Sequence, residues 1–169
     1  EAGHRVVNLD LDAETAKRLG EMGVDGRQGE LKDFSGGPFR IAIASEVLEH
    51  IPTDDLAPSV ERVHSALEEN GLFLVTVPFR EDLARSTTIC PHCGETHHLW
   101  GHRQSFDDQR LRSLFHDAGF RDVKIGARFF ANYAQLNWGG RATFLMKHAA
   151  WSLFQRPSSS LKYVVEARK

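Results

Sequence analysis

Cysteine and histidine side chains are concentrated in one short segment of this chain, residues 90–102. Both cysteines of the chain and 4 of its 9 histidines lie there. The spacing Cys-x2-Cys-x4-His-x3-His is typical of a zinc knuckle, because thiolates and imidazoles suit tetrahedral Zn²⁺. We therefore predict a structural zinc site that fixes a loop with no core of its own. Its four ligands would be Cys90, Cys93, His98 and His102.

His98 is preferred to His97 because residues four apart can meet on one side of a short helical turn. Three alternatives stay open for this segment. The Cys-Pro-His-Cys run also resembles the redox pair of thiol oxidants, although Gly94 argues against the helix such a pair needs. A catalytic metal with an open position and a metal-free loop are the other two.

Two acidic residues follow predicted strands at points where nucleotides bind in α/β sheets. Asp10 ends a short β-rich run at residues 6–11, and a carboxylate there can accept both hydroxyls of a ribose. The alternative for Asp10 is an acid at a helix N-terminus, which the helix dipole favours. Glu30 follows Arg27-Gln28-Gly29 at the end of a predicted short strand and, taken alone, is more often a surface acid.

The elements that must position these residues alternate between strands and helices. Apolar runs predict strands, and 3.6-residue periodicity with capping residues predicts helices. Such alternation gives an α/β fold whose sheet is mostly parallel and covered on both faces. The predicted strands are at residues 6–11, 39–45, 72–77, 123–130 and 161–167, and the helices at about 13–22, 54–70, from a capping box at Ser105 and Asp108 onward, and at 142–155.

Composition fits one soluble globular domain over residues 1–169, with residues 80–104 as an inserted loop. The chain has 169 residues, 41% hydrophobic residues and a net charge of −2. These values exclude a disulfide scaffold and low-complexity disorder, and they give no overall basic field for nucleic acid. Two cysteines and no visible targeting signal favour the cytoplasm.

Several runs of the chain resemble class I S-adenosylmethionine-dependent methyltransferases (type 11/12-like). Residues 39–52, Phe-Arg-Ile-Ala-Ile-Ala-Ser-Glu-Val-Leu-Glu-His-Ile-Pro, resemble that family's fourth-strand motif. Residues 1–11 look like its second-strand motif, residues 70–78 like its fifth strand, and residues 115–120 like its usual ending. The resemblance implies a Rossmann-like sheet, mostly parallel with an antiparallel C-terminal strand.

The resemblance also implies how S-adenosylmethionine would be bound. Asp10 would bind the ribose and Leu11 would pack on the adenine. Glu30 stands where the family usually has an Asp near the adenine amino group, and Leu31 would offer a backbone N–H.

At the other end of the cofactor, Ser45 and Glu46 would line the methionine portion and the mouth of the acceptor pocket. His50 would face the acceptor or close the pocket. It is our candidate for a general base, which an acceptor of high pKa would need.

The family's first strand and its Gly-rich turn are absent from this chain, since by the resemblance they would stand ahead of Glu1. We therefore expect the natural protein to be longer. Two hypotheses follow: a methyltransferase, or a non-catalytic methyltransferase-like module that bears zinc and binds a partner. The presence of the Gly-rich turn in a longer protein would favour the enzyme.

Residues 142–155 form a stretch that is apolar on nearly every side. It is too short to span a bilayer, so it either packs in the core, covers the substrate, or lies on a membrane surface. We expect a small-molecule, sugar or lipid-linked acceptor, with possible peripheral membrane contact, and no nucleic acid because the chain has no basic aromatic groove.

Overall fold

The computed structural model describes residues 3–130, 138–154 and 161–169. Strands and helices alternate along most of this length, as the sequence predicts. The strands are β1 (Val7–Asp10), β2 (Asp25–Gln28), β3 (Phe39–Ser45), β4 (Leu67–Pro78), β5 (Thr87–Ile89), β6 (Thr96–His98), β7 (Asp122–Phe129) and β8 (Leu161–Arg168). The helices are α1 (Ala13–Glu21), α2 (Thr53–Ala66), α3 (Asp108–Asp117) and α4 (Trp138–Phe154).

Four strands form the main sheet, in the order β3-β4-β8-β7. The β3–β4 pair is parallel, whereas β8 is antiparallel to both β4 and β7. The α/β fold with an antiparallel C-terminal strand is therefore confirmed. Strands β1 and β2 form a separate parallel pair, and β5 and β6 form a small antiparallel hairpin within the predicted insert.

The core lies between one face of the main sheet and helices α2 and α3. Alternate residues of β4 and β8 point into it, as expected for strands buried on one face. The apolar positions of α2 and α3 recur at steps of three and four, which places them on the sheet-facing side. The fully buried members include Phe73, Phe115, Phe120, Val75, Val165 and Leu111.

The segment β1–α1–β2, which we call the N-terminal unit, contributes little to that core. Between residues 3 and 28 only Ala16 is buried. Asp12 caps α1 by accepting hydrogen bonds from the backbone N–H groups of Glu14 (3.3 Å) and Thr15 (3.0 Å). The unit is therefore held mainly by local contacts.

Several predicted boundaries differ from those of the structure. The helix predicted at 54–70 ends at Ala66, because Leu67 adopts an extended backbone and begins β4. Ser105 does not form the predicted capping box. Its hydroxyl donates to the backbone oxygen of Glu81 (2.6 Å), and Asp107 caps α3 instead by accepting from the N–H of Arg110 (2.7 Å).

Helix α4 begins four residues earlier than predicted, at Trp138, and its described side chains are mainly exposed. Met146 is 72% exposed, and Leu145 and Trp138 are also exposed. Core packing, one of the interpretations given for residues 142–155, is therefore wrong for Leu145 and Met146. Residue 155, the last of the predicted stretch, lies outside the described residues. None of the described helices combines the length and the apolarity needed to cross a membrane.

Candidate functional site

The carboxyl ends of β1 and β2 bring the first group of predicted site residues together. Asp10 pairs with Gln28 in the parallel register, and the N–H of Gly29 donates to the backbone oxygen of Asp10 (3.0 Å). The Asp10 carboxylate accepts the N–H of Asp12 (2.9 Å) through Oδ1, which fixes its orientation at the strand end. Glu30 follows Gly29 directly, so both predicted acids lie at one edge of this unit.

A cavity of about 200 Å³ opens at this edge. Its lining consists of Leu9, Arg27, Gln28, Gly29, Glu30, Asp33, Phe34 and Ser35. Leu11, predicted to pack on an adenine, is 70% exposed. An exposed leucine beside a strand-end carboxylate and a small cavity with an aromatic wall suits a nucleoside, whose base covers apolar surface while its ribose meets the acid.

Glu30 is half of an ion pair with Lys32, with 2.7 Å between Oε2 and Nζ. Lys32 also lies 3.0 Å from the Asp55 carboxylate of α2, and these two acids raise its pKa. Leu31 packs against the edge of the core. This loop therefore links the N-terminal unit to the main sheet.

Ser45 and Glu46 lie at the carboxyl end of β3, where a second set of polar contacts forms. The hydroxyls of Ser45 and Thr76 are 3.0 Å apart, and Thr76 donates to Glu46 Oε1 (3.0 Å). Lys162 of β8 pairs with Glu46 Oε2. The Glu46 backbone has a positive φ of 55°. Glu46 is thus locked in place by neighbours from two adjoining strands.

Glu49 is fully buried directly beyond this point, in the short 3₁₀ helix Leu48–His50. Burial raises the pKa of Glu49 to about 7. Its backbone oxygen accepts the N–H groups of Arg103 (2.7 Å) and Gln104 (3.0 Å), so the end of the insert is tied to this loop.

His50, the predicted general base, is exposed and its ring meets that of His102 edge-on, with 4.9 Å between centroids. His98 stacks on His102 at 4.7 Å. Glu81 reaches both: its Oε2 is 2.5 Å from His102 Nδ1 and its Oε1 is 3.5 Å from His98 Nε2. Two predicted metal ligands therefore come together beside His50.

The other two predicted ligands do not join them. Cys90 and Cys93 lie in the turn of the β5–β6 hairpin, whereas His98 is at its opposite end, paired with Thr87. Backbone N–H groups of Cys93 and His92 lower the pKa of the Cys90 thiol. Among the described residues, the two groups able to hold a metal are Glu49–His50–His102 and Glu81–His98–His102. The four-ligand set is not assembled because the hairpin separates its turn from its base.

Sequence reasoning missed three of the residues that shape these sites: Phe34, Glu81 and Lys162. Phe34 carries no local signal beyond its aromatic type. Lys162 alternates with buried residues in β8, and that alternation places it on the other face of the sheet. Glu81 is 21 residues from its partner His102, a separation that no spacing pattern links.

Comparison with known families and structures gives a consistent result. The methyltransferase domain family matches residues 1–125 of the chain. No relative among curated protein sequences matches it.

Solved structures share the fold at low sequence identity. A SAM-dependent methyltransferase from Archaeoglobus fulgidus is 14% identical, with a TM-score of 0.62 over 96% of this chain and 75% of its own. One from Methanosarcina mazei is 14% identical, with a TM-score of 0.64 over 97% and 81%.

A third structure, of Burkholderia thailandensis 1,6-didemethyltoxoflavin-N1-methyltransferase with bound 1,6-didemethyltoxoflavin and S-adenosylhomocysteine, is 20% identical. Its TM-score is 0.57 over 99% of this chain and 62% of its own. Because the family match spans well over half of the sequence, the resemblance noted from residues 39–52 is confirmed, and the chain belongs to the methyltransferase domain family.

Proposed function

We propose that this methyltransferase binds S-adenosylmethionine at the carboxyl edge of the N-terminal unit. The observation that carries the proposal is the grouping there of the Asp10 carboxylate, the exposed Leu11 and the cavity walled by Phe34. Asp10 accepts the ribose hydroxyls, and Leu11 and Phe34 contact the adenine. Glu30 and the backbone of Leu31 lie at the polar rim of the base.

When bound, this cofactor supplies a methyl group already activated by its sulfonium. The protein's own task is then to bind and align donor and acceptor. Ser45 and Glu46 border the methionine portion. Because Thr76 and Lys162 hold Glu46, this border is rigid, and Lys162 compensates the negative charge of Glu46.

The acceptor in this proposal is a small molecule, a sugar or a lipid-linked compound, held near His50 at the end of β3. The exposed apolar side chains of α4, such as Met146 and Leu145, favour an acceptor with greasy parts or contact with a membrane surface. A cytoplasmic location is part of the proposal, and two unpaired cysteines support it.

The proposal includes a further strand that would pair with the free edge of β3. Among the described residues β3 pairs on one side only, with β4, and Ile43 on it is 69% exposed. A parallel strand between β1 and β3 would join the two sheets, and its following turn would approach the methionine portion. Binding of S-adenosylhomocysteine by a longer natural protein, and weaker binding by the present chain, is the expected result.

Calorimetric titration with S-adenosylhomocysteine tests the cofactor site. Asp10→Ala should weaken binding by about 1.5–3 kcal/mol, since it removes hydrogen bonds to a charged group. Asp122→Asn is the matched control, because Asp122 is an exposed acid that pairs with Lys124 on β7, a strand of the main sheet and not of the N-terminal unit. Equal affinity in the Asp10 variant and the parent would remove Asp10 from the site.

A further inference from the structure

Five ionisable side chains from separate parts of the chain converge beside the loop that follows β3, and we call them the His–Glu cluster. Two of them belong to the 3₁₀ helix after β3, one follows β4, and two come from the end of the insert. They are Glu49, His50, Glu81, His98 and His102. Methyl transfer as proposed above uses none of them except His50, so their grouping needs its own explanation.

Glu49 is the member whose burial is energetically the most unfavourable. Its side chain is 0% exposed, and neither carboxylate oxygen has a hydrogen-bond partner within the described part of the chain. A buried carboxylate without a partner is costly, by several kcal/mol when ionised. Such a group is compensated by a proton or by a nearby cation.

His102 offers a nitrogen beside that carboxylate. Its Nδ1 is 2.5 Å from Glu81 Oε2, and an ionised carboxylate only accepts hydrogen bonds, so the ring proton is on Nδ1. In the neutral ring the lone pair is then on Nε2. A carboxylate that holds a histidine through the nitrogen away from the ligand is the usual arrangement around protein-bound metal ions.

His98 plays a different part in the cluster. Its Nδ1 accepts the backbone N–H groups of Trp100 (3.3 Å) and His102 (3.1 Å), so in the neutral ring the proton is on Nε2. That N–H lies 3.5 Å from Glu81 Oε1 and forms no hydrogen bond with it. His98 is therefore a neighbour of Glu81 that keeps no lone pair for a ligand in this tautomer.

We propose that Glu49, His50 and His102 bind one divalent transition-metal ion such as Zn²⁺, while Glu81 orients His102. The three ligand atoms lie within 4.8 Å of one another. Metal–ligand bonds of about 2.0–2.2 Å need them about 3–3.5 Å apart, which small side-chain movements provide. Two imidazoles and one carboxylate leave coordination positions open.

The open positions face the exposed side of the cluster, because His50 is exposed while Glu49 is not. The site lies directly after β3, at the edge of the sheet where the acceptor is held. An acceptor oxygen or nitrogen can therefore complete the coordination. This last step rests on the proposed methyl transfer, whereas metal binding itself does not.

Cobalt substitution tests the site. The whole chain, freed of metal with a chelator, is titrated with Co²⁺ and then with Zn²⁺ in competition. We expect one ion per chain and a visible cobalt spectrum without a thiolate charge-transfer band. His50→Ala should weaken binding by at least about tenfold, and because His50 is exposed this variant keeps the fold. His97→Ala, an exposed histidine outside both metal-capable groups, is the matched control.

Two further variants separate ligands from supports. Glu49→Gln should weaken binding like His50→Ala, because it removes the anionic ligand while keeping the shape. Glu81→Gln should weaken it by about 10–100-fold and leave the cobalt coordination spectrum unchanged, as expected of a positioning residue.

Three results would overturn the proposal. One is unchanged affinity in His50→Ala, and another is a folded chain that takes up no cobalt. The third is a thiolate-to-cobalt band that disappears in Cys90→Ser, which would move the metal to the cysteine turn. Titration with S-adenosylhomocysteine, run in parallel, reports on the proposed function separately.

Discussion

The main sheet and the N-terminal unit differ in how they are stabilised and in what they contribute. The main sheet buries whole aromatic side chains against α2 and α3, whereas the unit buries only Ala16 between residues 3 and 28. The unit nevertheless carries the edge at which we propose that the cofactor's nucleoside binds. On that proposal, stability and cofactor recognition depend on different segments, and substitutions should affect one without the other.

The largest effect should follow from removing an aromatic ring from the core. Phe115 is fully buried and its ring lies 5.7 Å from that of Phe73 and 5.5 Å from that of Phe120. Phe115→Ala should lower the free energy of unfolding by about 3–5 kcal/mol, a large part of the stability of a small domain. Urea denaturation measures this.

Met22→Ala, just after α1 in the N-terminal unit, is the control because Met22 is exposed. It should change the free energy of unfolding by less than about 0.5 kcal/mol. A comparable loss in both variants would mean that the two regions are not separate in energy.

Removing a helix cap should lower global stability in the main-sheet region but only local stability in the N-terminal unit. Asp107 caps α3, so Asp107→Ala should lower the global free energy of unfolding by about 1 kcal/mol. Asp12→Ala removes the cap of α1 and should speed amide exchange within α1 while leaving global unfolding unchanged. Hydrogen exchange with mass spectrometry compares them, and a global shift from Asp12→Ala would contradict this expectation.

A weaker effect on cofactor affinity is expected from Glu30, at the carboxyl edge of the N-terminal unit. Glu30→Gln should reduce affinity for S-adenosylhomocysteine by less than about tenfold. Glu30 is one polar group beside a base that also contacts apolar surface, and it already pairs with Lys32. Titration of this variant beside Asp10→Ala ranks the two acids. A larger loss from Glu30→Gln would reverse the order we assign them.

The smallest effect is on the pH dependence of stability, through His64 of α2 beside the main sheet. Burial against Phe120 lowers the pKa of His64, whose ring lies 5.0 Å from the Phe120 ring. The unfolded chain then binds this proton more readily, so the contribution of His64 to stability falls as pH drops below the ordinary histidine pKa of about 6.5. Glu49 contributes with the opposite sign, because its raised pKa favours the folded state as pH falls, and it does so equally in the parent and in a His64 variant. His64→Leu should therefore lose less stability than the parent between pH 7.5 and 5.5, values about one unit either side, and unfolding curves at both values measure the difference. The same change in both proteins would exclude a contribution from His64.

Much of the fold could be predicted because it follows from local pattern. The strand at residues 39–45 has the predicted bounds, and α3 buries Leu111 and Phe115 as its spacing requires. The predicted end of α2 is wrong because the local sequence Glu68, Glu69 and Asn70 before Gly71 is typical of the last turn of a helix. Pairing of Leu67 with Phe39 across the sheet overrides that local preference.

The candidate site was predicted less completely, and the reason is the path of the insert. His98 and His102 meet because a local turn joins them, and spacing captures this. Their contact with Glu81 depends on how the chain returns from the hairpin to β3, which no short motif encodes. Helix α4 illustrates the same limit: an apolar composition predicts burial, but it does not identify what covers the surface.

The position of β8 has a consequence for how the protein is made. This strand lies between β4 and β7, both of which precede it in the chain. During translation, residues are added at about 5–20 per second. The edges of β4 and β7 that pair with β8 therefore stay unpaired for several seconds, until β8 has been synthesised. Folding of the main sheet therefore requires the synthesis of β8, and a nascent chain stalled before Leu161 would be a target for chaperones.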